Sequence, residues 1–486
     1  MRAVVPLRNA GSRSDNNRLP EPNRDARADT AGRIPFRSIG LTSFLGSSPS
    51  EPADYEDTSP PGMGTDVLDA VRLLRQLRQF RLICTSACAF LSRVSLLPSI
   101  VSDDRAIEAS LHELIALLRS AGAYIADGLV ITCAGGALNL KAPGVRRGAM
   151  LIRLPQDCLV PLSALRFALV GDAIVISSAR SRLNRMSVAI TEAMFEIYNL
   201  TGKIAQHRRT SPWSLIAAHP DLLSYVVPPS QVDFPFSAKD VRSGNDAKVM
   251  LASFLHSRLF SHKQTEQAKP CPVLLPITDF LNHHWKGEPY SYDRNRAVVM
   301  RRSAPITGKG DQCFARYGLN DAYDNWLIYG FVDEDVPFVQ SLATTLNLPG
   351  VGTIRIGHAP AAYESDETEP SLHQLVSVPR ILSRKGNRLS VGAMVIPGPQ
   401  APRALRRSLR VLISELGAPW RQYSDLVIRA EEQILDANLT YYDELKSCLE
   451  RLSVANDVHS TIRANFVRLC DQQVRRIRNY VSCAAG

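Results

Sequence analysis

The chain has 486 residues, 45% of them hydrophobic and 21% charged, which is enough for two or three domains with a large buried core and excludes a wholly disordered or fibrous protein. Its 57 basic and 47 acidic side chains leave a formal charge of +10, which permits an acidic partner such as nucleic acid without requiring one. The nine cysteines are scattered, with no C-x-x-C pair, and fit a reduced, cytoplasmic setting. No stretch reaches the roughly 18 uninterrupted apolar residues that a spanning helix needs. The nearest, Leu82 to Val101, is broken by Arg93, so the chain reads as soluble, without a membrane partner.

Residues 1–64 carry eight Arg and eight acidic residues among many Pro, Ser, Asn and Gly, with no apolar period, and read as a disordered leader. Its first residues are basic like a transit peptide, but Asp15, Glu21, Asp25 and Asp29 argue against targeting. A helical lead-in over 65–105 includes an amphipathic pattern from Asp66 to Phe80. A second helix follows at Ile107 to Leu118, closed by Ala121-Gly122. Leu129 to Thr132, Ala137 to Leu140 and Met150 to Leu154 are strand-length runs parted by Gly135-Gly136 and Pro143-Gly144. Helical character returns over about 162–257, including Leu162 to Val170, and strands and turns resume over 273–333. The expected architecture is α+β: a β-rich domain over 106–340 with a helical insertion, then a mostly helical domain over 341–486. Glu364 to Glu369 forms an acidic linker. Eight basic residues and no acidic one lie from Arg380 to Arg410, a candidate docking face to be tested by charge reversal at Arg406 and Arg407.

Three patterns occur in order: Ser257-Arg258-Leu259-Phe260; Asp279-Phe280-Leu281-Asn282-His283; and Phe314-Ala315-Arg316-Tyr317-Gly318, running on to Tyr329-Gly330-Phe331. Together they resemble the SET-domain methyltransferases, in the branch typified by the Rubisco large-subunit lysine methyltransferase. Val145 to Pro155 and the insertion's Ser211-Pro212-Trp213 and His219-Pro220 are similar to the same branch. The resemblance implies a SET fold, S-adenosylmethionine as methyl donor, a protein substrate, a lysine ε-amine as acceptor, no metal, and action as a monomer. It places the catalytic tyrosine at Tyr317. It places cofactor contacts at Gly136, Ala137, Leu138, Arg258, Asp279, Asn282 and His283, and the acceptor channel at Phe260 and Tyr329.

In-line transfer of a methyl group requires alignment, exclusion of water and a deprotonated amine. A dry aromatic channel lowers a lysine pKa from its ordinary value near 10.4. Arg258 supplies a planar two-pronged donor suited to a carboxylate. The apolar Phe260 favours lysine over histidine as acceptor. Three departures stand out: Cys133-Ala134-Gly135-Gly136-Ala137-Leu138 replaces the family's Gly-x-Gly turn with no acid adjacent, Arg316 precedes the tyrosine, and Asn320 to Asn325 departs from the family's Ser-Asn pattern. These keep open a catalytically degenerate domain that binds a protein partner. A metal enzyme using His256, His262, Asp279, His283 and His284 lacks any regular ligand spacing. A nucleic-acid binder lacks an aromatic-interleaved basic strand and a helix-turn-helix signature.

Overall fold

The computed structural model of the chain describes residues 98–179, 183–226, 236–265, 268–269, 271–357, 381–399 and 401–485. The leader, the Asp66 to Phe80 helix and the Glu364 to Glu369 linker lie outside the described residues. Strand β1 (Ser99–Ser102) leads into helix α1 (Arg105–Ser120), which is capped by the Asp104 carboxylate accepting from Ala106 N at 2.7 Å and Ile107 N at 3.4 Å. Ile107, Leu111, Leu114, Ile115 and Leu118 recur on one face of α1 and are buried. Gly122, at φ +83°, ends the turn that follows.

Strand β2 (Tyr124–Ile125) precedes β3 (Val130–Ala134) and β4 (Ala137–Lys141), which form an antiparallel hairpin. Its two-residue turn, Gly135-Gly136, has positive φ at both positions, as the right-handed twist of a hairpin favours. Parallel pairing of β1 with β3 brings Asp103 to this turn, and Gly135 N donates to Asp103 Oδ2 at 2.8 Å. The acid absent from the local sequence is thus supplied from across the sheet.

Strands β5 (Met150–Leu154) and β6 (Val160–Pro161) come next. The helix expected at Leu162 to Val170 is instead, after a short 3-10 turn, strand β7 (Leu165–Val170), paired with β8 (Ala173–Ala179) across Gly171-Asp172. Leu165, Phe167 and Leu169 alternate along β7 and pack on the core with Ile174 and Ile176. That period of two decides for a strand. The insertion is helical from there: α2 (Arg185–Leu200), α3 (Lys203–Thr210), α4 (Pro212–Ala218), α5 (Leu223–Val226), α6 (Ala238–Arg242) and α7 (Asp246–His256).

Strands β9 (Leu259–His262) and β10 (Cys271–Leu274) pair with each other, and β10 also with β6. Beyond them lie β11 (Asn282–Pro289), β12 (Ser291–Tyr292), β13 (Val298–Arg301) and β14 (Phe314–Arg316). Helix α8 (Ala322–Tyr329) is capped by Asp321, whose Oδ1 accepts from Tyr323 N and Asp324 N. Its Oδ2 accepts from Gln340 N at 2.8 Å and from Gln473 Nε2 at 3.0 Å, so one buried carboxylate ties α8 to two distant segments.

The remaining part is mostly helical, as expected, but opens with strands. β15 (Phe338–Gln340), β16 (Thr344–Leu348), β17 (Gly352–Ile356), β18 (Ile381–Lys385), β19 (Arg388–Val391) and β20 (Val395–Pro397) come first, with β16-β17-β19-β18 as one sheet and β15-β20 as a pair. Leu346, Leu348, Ile354, Ile356, Leu389 and Val391 alternate onto the buried face. Only then follow α9 (Ala404–Glu415), α10 (Ser424–Arg451) and α11 (Asp457–Ala485). One core joins α1, β3 to β5 and Phe195, Tyr198 and Phe254 of the insertion, and a second joins Trp213, Trp326 and Phe466. No helix of the described residues is long and apolar enough to cross a membrane.

The basic run is only partly a free face. The Arg406 guanidinium is held on Glu431 at 2.5 and 2.8 Å, and Glu431, 2% exposed, also accepts from Tyr480 Oη at 2.8 Å. Arg406 is therefore a structural cation joining α9 to α10, and the docking role expected of it does not fit its surroundings. Arg384, Lys385, Arg388, Arg403 and Arg407 remain exposed.

Candidate functional site

The site forms where β11 and β14 run parallel, with Asn282 opposite Phe314 and His283 opposite Ala315. Register breaks between His283 and Glu288, and the strands approach so closely that a Cβ on Gly287 would sit 2.6 Å from the Ala315 carbonyl carbon. Only a residue without a side chain permits that crossing. The pairing sets Tyr317, one residue beyond β14, against His283: Tyr317 N donates to His283 Nδ1 at 3.2 Å, and the two rings lie 5.1 Å apart. The Tyr317 hydroxyl donates to the Leu281 carbonyl.

Ahead of Asn282 the chain makes a tight turn. Ile277, fully buried, is held at φ +63° and ψ −44°, and Thr278 N donates to Pro276 O at 2.7 Å across it. A β-branched residue in that conformation is strained, and its surroundings must over-determine it. The turn delivers Asp279 into the interior, where its carboxylate accepts from the Tyr198 hydroxyl of α2 and lies 3.2 Å from Arg258 Nε. Arg258 Nη1 donates to Ser257 Oγ at 2.7 Å and Phe254 O at 3.2 Å, and the guanidinium lies 3.8 Å over the Phe254 ring. Arg258 Nε, although 3.2 Å from the Asp279 carboxylate, makes no hydrogen bond of good geometry among the described residues.

Aromatic rings wall the Tyr317 side. Tyr329 is 4.8 Å from Tyr317 and 5.9 Å from Phe331, and Phe260 is 5.4 Å from Tyr290 and 5.9 Å from Tyr292. Burial, with the neighbouring Tyr290, Asp279 and Tyr329, pushes the Tyr317 phenol well above its ordinary value. Burial does the same to Tyr290 and Tyr329, so this wall consists of neutral phenols. Burial also raises the Asp279 carboxyl against the opposing pull of Arg258. Lys203, at the start of α3, is lowered by burial and by the Arg258 charge.

Of the residues expected from sequence, Tyr317 meets His283 and Tyr329, and Arg258 and Asp279 form an adjoining, largely buried ion pair. His283 Nδ1 accepts from Tyr317 N, and Nε2 lies 3.2 Å from Asp333 Oδ2 and 3.4 Å from Asn325 Nδ2, of which only the carboxylate can accept from an Nε2–H. Asn282 is exposed and donates from Nδ2 to Asn139 Oδ1 at 2.5 Å. The glycine turn behaves differently from the expectation. A Cβ on Gly136 would sit 2.6 Å from Thr201 O and 2.9 Å from Gln206 Nε2, so its openness serves the approach of the insertion. Leu138 is buried in the core, whereas Ala137 is exposed and a Cβ on Gly135 meets nothing within 4 Å.

Tyr198, Tyr290, Lys203, Asn139 and Asp333 belong to the site but were not expected. Asp333 alone carries a local signal, since it follows the Tyr-Gly-Phe pattern by two residues. Among the described residues, no three His, Cys, Asp or Glu side chains are grouped so as to hold a metal ion.

No family model matches the sequence, and no curated protein matches it. Among solved structures, the chain is similar to the SET domain of LSMT bound to lysine and AdoHcy, with 13% identity, a TM-score of 0.34, and coverage of 77% of this chain and 91% of that one. It is similar also to Rubisco LSMT bound to AdoMet, with 14% identity, a TM-score of 0.36, and coverage of 79% and 92%. A third, Rubisco LSMT bound to sinefungin and monomethyllysine, has 13% identity and a TM-score of 0.35.

Proposed function

We propose that the chain is a SET-type protein methyltransferase that uses S-adenosylmethionine and acts on a lysine ε-amine. The observation that supports this most is the neutral, partly buried Tyr317 phenol, held between the Leu281 carbonyl and the His283 ring in an aromatic wall, beside the Arg258–Asp279 ion pair.

The donor set fits such a cofactor. The Arg258 guanidinium, with Lys203 nearby, offers positive charge for a carboxylate. Asn282 offers an exposed amide, and the open Gly135 side of the hairpin allows close backbone approach. When bound, S-adenosylmethionine supplies a methyl group on a positively charged sulfur. The protein's part is alignment. Tyr317 commits its proton to the Leu281 carbonyl, which leaves oxygen lone pairs to orient an amine N–H or polarised C–H groups without adding a full charge. Tyr290, Tyr329 and Phe260 exclude water, and that desolvation lowers the pKa of an entering lysine so that its nitrogen presents a lone pair.

Phe260→Asn is expected to slow lysine methylation while leaving cofactor affinity unchanged, because a polar amide in the wall disfavours a neutral alkylamine. Calorimetric affinity for the cofactor and the rate of labelled methyl incorporation into lysate protein separate the two effects; equal losses in both would defeat the lysine assignment. One observation favours a second reading, a degenerate partner-binding domain: Thr201 closes over Gly136, and Leu138 lies in the core. A chain of that kind fails to bind S-adenosylmethionine at millimolar concentration.

A further inference from the structure

The geometry points to Asp333 as a positioning residue for Tyr317, acting through the His283 ring. The inference rests on the reading of Tyr317 as the residue beside the transferring methyl. Because His283 Nδ1 accepts from Tyr317 N at 3.2 Å, a neutral ring carries its proton on Nε2. Nε2 lies 3.2 Å from Asp333 Oδ2, an ion-pair distance at which that otherwise unpartnered buried oxygen is its nearest acceptor, with Asn325 Nδ2 3.4 Å away and the His283 and Asp333 side chains 2% and 9% exposed. A carboxylate there fixes both the tautomer and the plane of the ring, and the ring in turn fixes the backbone amide of Tyr317.

The loop carrying Asp333 is itself held from α11. Gln472 Nε2 donates to Asp333 O at 3.0 Å, and Arg476 Nη2 donates to Glu334 O at 2.8 Å. Burial alone would raise the Asp333 carboxyl, yet its contact with the His283 ring holds it below its ordinary value. The C-terminal helix thereby reaches Tyr317 through two side chains, Asp333 and His283, without touching the aromatic wall.

The test uses the full chain labelled with ¹⁵N-histidine. The wild type is expected to show the His283 ring as the Nε2–H tautomer. In Asp333→Ala the two ring nitrogens should move toward averaged values, and the methyl-transfer rate should fall on the order of 10²-fold, as for a misplaced reacting group, with S-adenosylmethionine affinity unchanged. Asp333→Asn, which keeps an acceptor oxygen, should restore the tautomer and most of the rate, and it remains informative if the alanine variant does not fold. Unchanged ring signals in Asp333→Ala overturn the inference, as does a shifted ring with an undiminished rate. If the wild type transfers no methyl group but its ring signals respond to Asp333→Ala, the methyltransferase reading fails and the placement of Tyr317 by Asp333 stands.

Discussion

Tyr317→Phe is expected to lower the rate of methyl transfer about 10²- to 10³-fold, the usual cost of removing one pre-aligned polar group from a reacting centre, while cofactor binding persists. The phenyl ring keeps its contacts with His283 at 5.1 Å and Tyr329 at 4.8 Å, so the wall and the fold remain. What disappears is the hydroxyl, and with it the donor to the Leu281 carbonyl. That carbonyl belongs to a buried residue, so a stability loss of about 1–3 kcal/mol should accompany the change. Label transfer to lysate protein, measured beside calorimetric cofactor affinity, distinguishes the two effects. Undiminished transfer would remove Tyr317 from the chemistry.

Arg258→Ala should be the most destabilising single change in the site, by about 3–5 kcal/mol, because it strands a buried charge. The Arg258 and Asp279 side chains are 17% and 15% exposed and lie 3.2 Å apart, and the guanidinium also covers the Phe254 ring. Without it, Asp279 keeps only the Tyr198 hydroxyl and the nearby Lys203, and burial drives its carboxyl further toward the protonated form. Removing both charges, in Arg258→Met with Asp279→Leu, should cost less than Arg258→Ala alone, since no uncompensated charge is then left. Denaturant unfolding of the single and double variants measures this. A single variant as stable as the wild type would show that the pair contributes nothing to the fold.

The elements that could be read from the sequence are those whose signals are local. Helix α1 carries its cap, its apolar stripe and its terminating glycine within about twenty residues, and the β3–β4 hairpin announces itself by Gly135-Gly136. The apolar run at Leu162 to Val170 suits a helix or a strand, and only the Gly171-Asp172 turn separates the two. The β16 to β19 sheet is hard to read although β16, β17 and β19 alternate, because β18 is exposed throughout and the long helices after Ala404 dominate the pattern of that part of the chain.

The site divides in the same way. Tyr317, His283 and Arg258 are legible through short ordered motifs. Tyr198 and Asn139 reach Asp279 and Asn282 from 81 and 143 residues away, and nothing beside them in the chain marks them. Gly136 shows the converse: its need for an open side was legible, but the atom that occupies the space, Thr201 O, comes from the insertion and was not.

The most direct test of the central claim is a calorimetric titration of the full chain with S-adenosylmethionine, repeated on Arg258→Lys, which keeps the charge but loses the planar fork. Saturable binding that weakens in the lysine variant is the predicted result. No binding by the wild type at millimolar cofactor would contradict the account and favour a partner-binding domain built on the same fold.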